Sequence, residues 1–467
     1  MRYRLLEVIL PGSLDPGNGS CILNKQQLSL KRIRGSKNIK DGLGFLGAGI
    51  ASQVIIFLSN IFVIRALGPE LRGYYSFLGI IGFFLVPIFS FGFLAGLGYY
   101  VSSKKYIPEN ITKSVTVIAL LRSGIIIMVV LLLKYFNLLG ETGNKLSVWY
   151  LLPVLLTFPL NMMKESFHRI LLADSQYVKA NKLSVIYSIA SPLIVFLLVV
   201  LLKLNFIGVV IAIVISNIIN FLVTIVFVNK LYTVSNLRKP YDKVFVKLAF
   251  SYGIKGWIGD IAVTTNNRVD QLILSYFLPP ASLGVYSICG SIGQILWILP
   301  GSIRQILFNK NAEMGKIEDR KMLTAKYHAF FMITGLVITA FFILFAGFIV
   351  RFLYGKDFVP AILPLQIYLV GTGIYIGTMV LTKYFVGANQ IIINSYIQLF
   401  SAAIGLVAAF LLISRYGIVG AAISSSISYV ASYCLALYYF KDFKQLSNGF
   451  VMFFKKGLGK IPTTANR

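Results

Sequence analysis

A chain of 467 residues that is 57% hydrophobic and 13% charged carries far more apolar side chain than a soluble domain of that size buries. Its formal net charge of +28 invites a nucleic-acid reading, but the cations are sorted loop by loop instead of gathered in one patch. That distribution excludes nucleic acid and points to anionic lipid.

Residues 1–41 are polar and include PGSLDPGNGS; Glu7 and Pro11 interrupt any signal-peptide core. They read as a cytoplasmic extension that is either disordered or the product of a misplaced start site. Twelve apolar blocks follow, at 43–66, 75–99, 113–136, 147–170, 182–202, 206–228, 248–276, 283–308, 327–350, 359–382, 394–413 and 417–439. A block of ~20 apolar residues crosses a ~30 Å hydrocarbon core as a helix. The expected fold is therefore an all-α integral membrane protein of about twelve transmembrane helices. The expected organisation is a six-helix lobe at 42–229, a cytoplasmic linker at 230–247, a second six-helix lobe at 248–440 and a basic tail at 441–467. In the tail, GFVMFFKKGLGK is too short to span and reads as an interfacial amphipathic segment.

Between spans 1 and 2 lies RALGPELRGYY. Gly68-Pro69 ends a helix there, since proline lacks an amide donor and disfavours αR in the residue before it. Glu70 and Arg72 read as solvated loop charges. With the N-terminus inside, the outer loops hold few cations (Arg72, Lys145, Lys203, Arg351, Lys356, Arg415), whereas the inner segments are rich in them (Lys31, Arg32, Arg34, Lys310, Lys316, Arg320 and others). Both termini are thus expected in the cytoplasm. Prolines 87, 159, 192, 300 and 364 interrupt spans and are expected to kink them. Cys21, Cys289 and Cys434 are far apart, lack metal spacing and read as small packing residues. His168 and His328, near span ends, read as core or surface residues and not as a proton relay.

Charges inside spans carry the functional signal, because each costs ~2.5–3.5 kcal/mol at a lipid-facing helix centre. Arg122 lies mid-span in VIALLRSGIIIMVV; Lys164, Glu165 and Arg304 lie nearer span ends, where snorkelling competes as an explanation. In span 7, Ile254, Ile258, Ile261, Val269 and Leu272 form an apolar stripe. Lys255, Asp260, Thr264, Asn266, Asn267, Arg268, Asp270 and Gln271 fill the opposite arc, which must face protein or water. Shifting the first half by 211 residues puts Pro69, Gly73, Tyr75, Ser76, Gly79 and Gly82 on Pro280, Gly284, Tyr286, Ser287, Gly290 and Gly293. The same shift puts Gln53 and Asn60 on Thr264 and Gln271. Six spans per repeat keep the two halves parallel, an arrangement of secondary transporters. No P-loop, HExxH or CxxC motif is present, and G-F-L-G-A-G at 44–49 has no strand before it, so it reads as close helix packing. No enzymatic activity is expected.

The glycine-rich entry, Gln53, Asn60 and RALGPELRGYY resemble the first two spans of the Wzx-type polysaccharide (O-antigen) flippases, within the multidrug/oligosaccharidyl-lipid/polysaccharide exporter superfamily. NNRVDQLILSYFL (266–278) is similar to that family's seventh span, and FLYGKDFVPAI (352–362) to its loop before span 10. The resemblance covers nearly the whole chain from about residue 42. It implies two six-helix lobes around a cavity lined by spans 1, 2, 7 and 8. It also implies transport of an undecaprenyl-pyrophosphate-linked oligosaccharide from the inner to the outer leaflet of a bacterial cytoplasmic membrane. No cofactor is called for; membrane lipids and other polysaccharide assembly proteins are the expected partners. Arg and Lys give charge-assisted bonds to phosphate. Arg122, Lys255, Arg304 and Arg65 are accordingly the candidate head-group cations, with Gln53, Asn60, Thr264 and Gln271 as polar lining. Asp260 or Asp270 is expected to pair with Arg268 or Arg65 in one state of the cycle, with proton or sodium coupling as the alternative role. A cation or drug antiporter of the same superfamily stays open as an alternative, though interior cations outnumber acids. A membrane glycosyltransferase or polymerase stays open too, though the outer loops are short for one.

Overall fold

The computed structural model of the protein describes residues 20–232, 240–313, 316–388 and 390–456, with side chains from residue 54 onward except at 299, 302–306, 308–310, 312–313, 391 and 452–456. It divides into two units, residues 1–49 and 50–467. In the first unit the described part, from residue 20, is helical. The stretch 20–41 has a single glycine, no proline, and many Leu, Lys and Gln, all good helix formers.

The described residues are mostly helical, and no strand occurs among them. The helices are α1 (Ser20–Ile88), α2 (Phe93–Ser102), α3 (Pro108–Tyr135), α4 (Gly140–Lys145), α5 (Val148–Leu155), α6 (Phe158–Ala173), α7 (Tyr177–Phe196), α8 (Asn205–Tyr232), α9 (Lys243–Phe277), α10 (Pro280–Glu313), α11 (Ile317–Leu344), α12 (Ala346–Ile349), α13 (Ile362–Gly387), α14 (Ile391–Phe440) and α15 (Phe443–Lys456). Among the described residues eight stretches are long and apolar enough to cross a membrane. Two of them, Val54–Ile88 and Ile392–Phe440, contain non-helical glycines, Gly68 and Gly417. A straight helix of the 50 residues of α14 would reach about 75 Å, more than twice a hydrocarbon core. The glycine therefore divides it into two arms. At Gly68 the φ of 69° and ψ of 176° suit glycine, and Pro69 restarts the helix from its first turn. The eight stretches cover ten of the twelve expected blocks. The other two are span 4, cut into α5 and α6, and span 7, which is α9 with its internal charges.

Of the five prolines, two mark real breaks. Pro87 precedes the turn at 89–92 that separates α1 from α2, and Pro159 sits in the first turn of α6. Pro192 and Pro300 lie inside continuous helices, and Pro364 lies in the first turn of α13. Helices of the second half pack mainly on one another, α9 on α14 and both α10 and α11 on α13. In the first half, α3 and α8 pack on α6, and α7 on α8. The halves meet where α2 lies along α9. Cys289 is buried in the core, as a packing residue should be, whereas Cys434 is exposed.

Candidate functional site

The internal repeat becomes physical at the Gly68 turn. A β-carbon added at Gly73 would lie 1.8 Å from the Pro280 carbonyl oxygen. One added at Gly284 would lie 1.8 Å from the Pro69 carbonyl oxygen. Gly73 and Pro69 are the repeat partners of Gly284 and Pro280, so one contact is made twice, with the roles of the halves exchanged. About one bilayer thickness away along the chain, a second seam forms. β-Carbons at Gly92 and Gly253 would meet each other's carbonyl oxygens at 2.1 and 1.9 Å, and one at Gly96 would meet the Ala249 carbonyl at 2.0 Å. Backbone touches backbone at both seams, and the cavity lies between them.

Near the Gly68 end, a cavity of about 380 Å³ is lined by both arms of α1, by α7 and α8, and by α9 and α10. Two guanidinium groups face it. Arg72 is 8% exposed, and its Nε donates to Ser287 Oγ at 3.0 Å while the group stacks 5.1 Å from the Tyr75 ring. Its burial corrects the reading of Arg72 as a solvated loop charge. The α1 turn at Gly68 directs the helix restart inward, against α10. Arg268 stacks 4.9 Å from Phe83, and its Nη1 donates to Gln271 Oε1 at 3.2 Å. Asn60 Nδ2 donates to Ser291 Oγ at 3.2 Å. Ser216 is buried, and its Oγ has no hydrogen-bond partner.

A second chamber of about 760 Å³ shares Tyr75, Gly79, Ile213 and Asn217 with the first and extends toward the other seam. Its lining carries Asn161 and Glu165 on α6, and Asp260 and Thr264 on α9. Spans 1, 2, 7 and 8 thus contribute walls, and spans 4, 5 and 6 contribute as well.

The structure sorts the expected site residues into groups. Asn60, Thr264, Gln271, Asp260 and Arg268 line one chamber or the other. Arg65 and Lys255 are exposed and lie outside both linings. Arg122 is buried outside the linings, where its Nε donates to the Phe89 carbonyl oxygen at 2.9 Å. That carbonyl belongs to the break after Pro87, where a helix ends without intrahelical partners. The side chains of Gln53 and Arg304 lie outside the described residues. Asp270 points away from the cavity into the second half. It accepts from Tyr286 OH at 2.5 Å, Ser425 Oγ at 2.7 Å and the Gln271 amide at 2.8 Å. One turn earlier, Asn266 accepts from Ser428 Oγ at 2.5 Å and donates to Gln398 Oε1 at 3.1 Å. The polar arc of span 7 is therefore two faces, one lining the cavity and one buried against α10 and α14. Part of the expected lipid stripe is internal as well: Ile254 and Ile258 are exposed, but Val269 is 4% exposed. His168 is half-buried and His328 is buried. His168 Nε2 lies 3.1 Å from the Ala180 carbonyl oxygen, and His328 Nε2 lies 3.1 Å from Tyr433 OH.

Among solved structures, the fold is similar to that described as lipid II flippase MurJ in an inward closed conformation. The TM-score is 0.70 at 18% identity, covering 88% of this chain and 92% of that one. It is also similar to an inward-facing multidrug resistance MATE family transporter of the MOP superfamily, with a TM-score of 0.66 at 15% identity, covering 85% and 95%. No curated protein sequence matches. Residues 39–308, more than half of the chain, match the family described as polysaccharide biosynthesis protein. A multi-pass helical fold shared with these transporters and a match of that length together make the chain a member of the polysaccharide biosynthesis protein family.

Proposed function

We propose that the protein moves an undecaprenyl-pyrophosphate-linked oligosaccharide from the inner to the outer leaflet of a bacterial cytoplasmic membrane, by alternating access, as a step in surface polysaccharide assembly. Both termini are cytoplasmic in this reading. The observation that carries it is the pair of guanidinium groups, Arg72 and Arg268, facing one cavity between the repeats. Two fixed arginines with no carboxylate paired to either are suited to a pyrophosphate, whose oxygens accept the planar fork in pairs. Among the described residues the ion pairs are Lys145–Glu141 and Lys321–Asp442, neither at the cavity. Asn60 and Gln271 supply neutral hydrogen bonds around the head group. Arg304, Lys255 and Arg65 are assigned to the approach and exit paths, and the lipid tail stays in the bilayer. Similarity to a lipid II flippase fold supports a lipid-linked substrate.

Binding of undecaprenyl pyrophosphate to the purified protein in nanodiscs tests this reading. Losing one charge-assisted contact, worth about 1.5–3 kcal/mol, predicts a roughly ten- to hundredfold weaker affinity for Arg72→Ala and for Arg268→Ala. The lysine variants fall in between. Wild-type affinity in both alanine variants, or equal binding of undecaprenol without phosphates, overturns the assignment.

A further inference from the structure

The continuous cavity is not uniform in charge. Guanidinium groups line the chamber near the Gly68 turn, whereas the charged side chains of the larger chamber are both carboxylates, Glu165 and Asp260. They come from different helices, α6 and α9. Each has a neutral polar residue one turn away on the same face, Asn161 and Thr264. Neither carboxylate takes part in a hydrogen bond or ion pair among the described residues. The cations of α3 and α6, Arg122, Lys164 and Arg169, do not line the chamber. Arg122 is held by the Phe89 carbonyl, and Lys164 lies 5.2 Å from the Tyr187 ring. The wall therefore presents two carboxylate acceptors to the chamber. Tyr75, Phe83 and Phe158 supply aromatic surface to the same space.

Carboxylates and an amide beside aromatic rings match an uncharged, hydroxyl-rich ring. Hydroxyl groups donate to the carboxylate oxygens, and the ring's C–H face packs on the aromatic side chains. We propose that the larger chamber is the sugar subsite, and that Glu165 and Asp260 make it select a neutral sugar over a uronic acid next to the pyrophosphate. This rests on the pyrophosphate assignment to Arg72 and Arg268. A uronate would bring a third carboxylate into a lining of two, and like-charge juxtaposition is strongly unfavourable in a partly dehydrated site.

The test uses two probes that differ in one group: undecaprenyl pyrophosphate bearing glucose, and the same lipid bearing glucuronic acid. Binding is measured by titration into nanodiscs holding the full chain. Wild-type protein is expected to bind the glucosyl lipid at least about tenfold more tightly. Glu165→Gln combined with Asp260→Asn is expected to bring the two affinities within about threefold, chiefly by strengthening the glucuronyl lipid. Equal binding by wild type, tighter binding of the glucuronyl lipid, or an unchanged preference in the double variant overturns the subsite. In those cases sugar-free undecaprenyl pyrophosphate still binds and still depends on Arg72. If that binding is itself absent, the pyrophosphate reading fails and the subsite with it. Unchanged affinity of the double variant for sugar-free undecaprenyl pyrophosphate is expected and shows an intact fold; a collapse of that affinity means the two carboxylates serve the fold, and overturns the subsite.

Discussion

At the scale of single residues, burial and partner decide what a membrane-embedded charge does. In sequence Arg122 is a mid-span charge and Arg72 a charge in a short turn. Arg72 faces a cavity with its fork held by Ser287 and Tyr75, while Arg122 binds the carbonyl left free by the break at Pro87. Arg122→Ala is therefore expected to lower stability by about 1.5–3 kcal/mol, the worth of a hydrogen bond to a charged donor, and to leave affinity for undecaprenyl pyrophosphate unchanged. Thermal unfolding and lipid titration on one preparation check both halves; an affinity loss with unchanged stability returns Arg122 to the head-group path. Asp270 is a different case. Its oxygens are occupied by two hydroxyl donors and an amide, with no cation bonded to it in this conformation. If Asp270 couples transport to a proton or sodium gradient, Asp270→Asn abolishes dependence on that gradient while the protein still inserts. Normal transport by Asp270→Asn at every pH and ion gradient removes the coupling role.

At the scale of elements, the two seams act as opposed closures. Each is built from glycine against a partner backbone, which allows helices to approach closely. A methyl group at Gly73 and at Gly284 would have to move the Pro280 and Pro69 carbonyls from 1.8 Å to ordinary contact, a separation of about 1.5–2 Å at that end. The Gly73→Ala/Gly284→Ala variant is expected to hold the Gly68 end open. Spin labels at Glu70 and Ser282, in a background without Cys21 and Cys434, report a longer distance there. Gly92→Ala/Gly253→Ala is expected to lengthen the distance between labels at Ser103 and Lys247 instead. Unchanged distributions in both variants mean that the seams do not gate the cavity. The breaks at Pro87 and Pro159 lie in helices that line the larger chamber, where a discontinuous helix bends at small cost.

At the scale of the whole molecule, the sorting of cations predicts an orientation with both termini in the cytoplasm. A reporter active only outside the cytoplasm is expected to work when fused after residue 141 or 355 and to fail after 175 or 316. The reverse pattern would invert the membrane. The chamber lined by Arg72 and Arg268 would then open to the cytoplasm, and the direction of transport would have to be argued again. With the expected orientation, that chamber is the outer one and the carboxylate chamber the inner one.

The sequence alone determined the class of protein, because a helix must satisfy its own backbone in lipid and so writes its span as a run of apolar residues. It also carried the repeat: Gly73 and Gly284 stood out in matching frame before any contact between the hairpins was visible. What it left open was the neighbour of each polar group. Periodicity shows that α9 has a wide polar arc, but a helix has no local record of which part of that arc meets water and which meets another helix. Tertiary packing put Arg268 and Gln271 on the cavity and turned Asp270 toward Tyr286 and Ser425. It buried Arg72 against Ser287, 215 residues away in the chain, and left Arg65 and Lys255 exposed. Those outcomes depend on which helices pack together, and the local pattern along the chain does not record it.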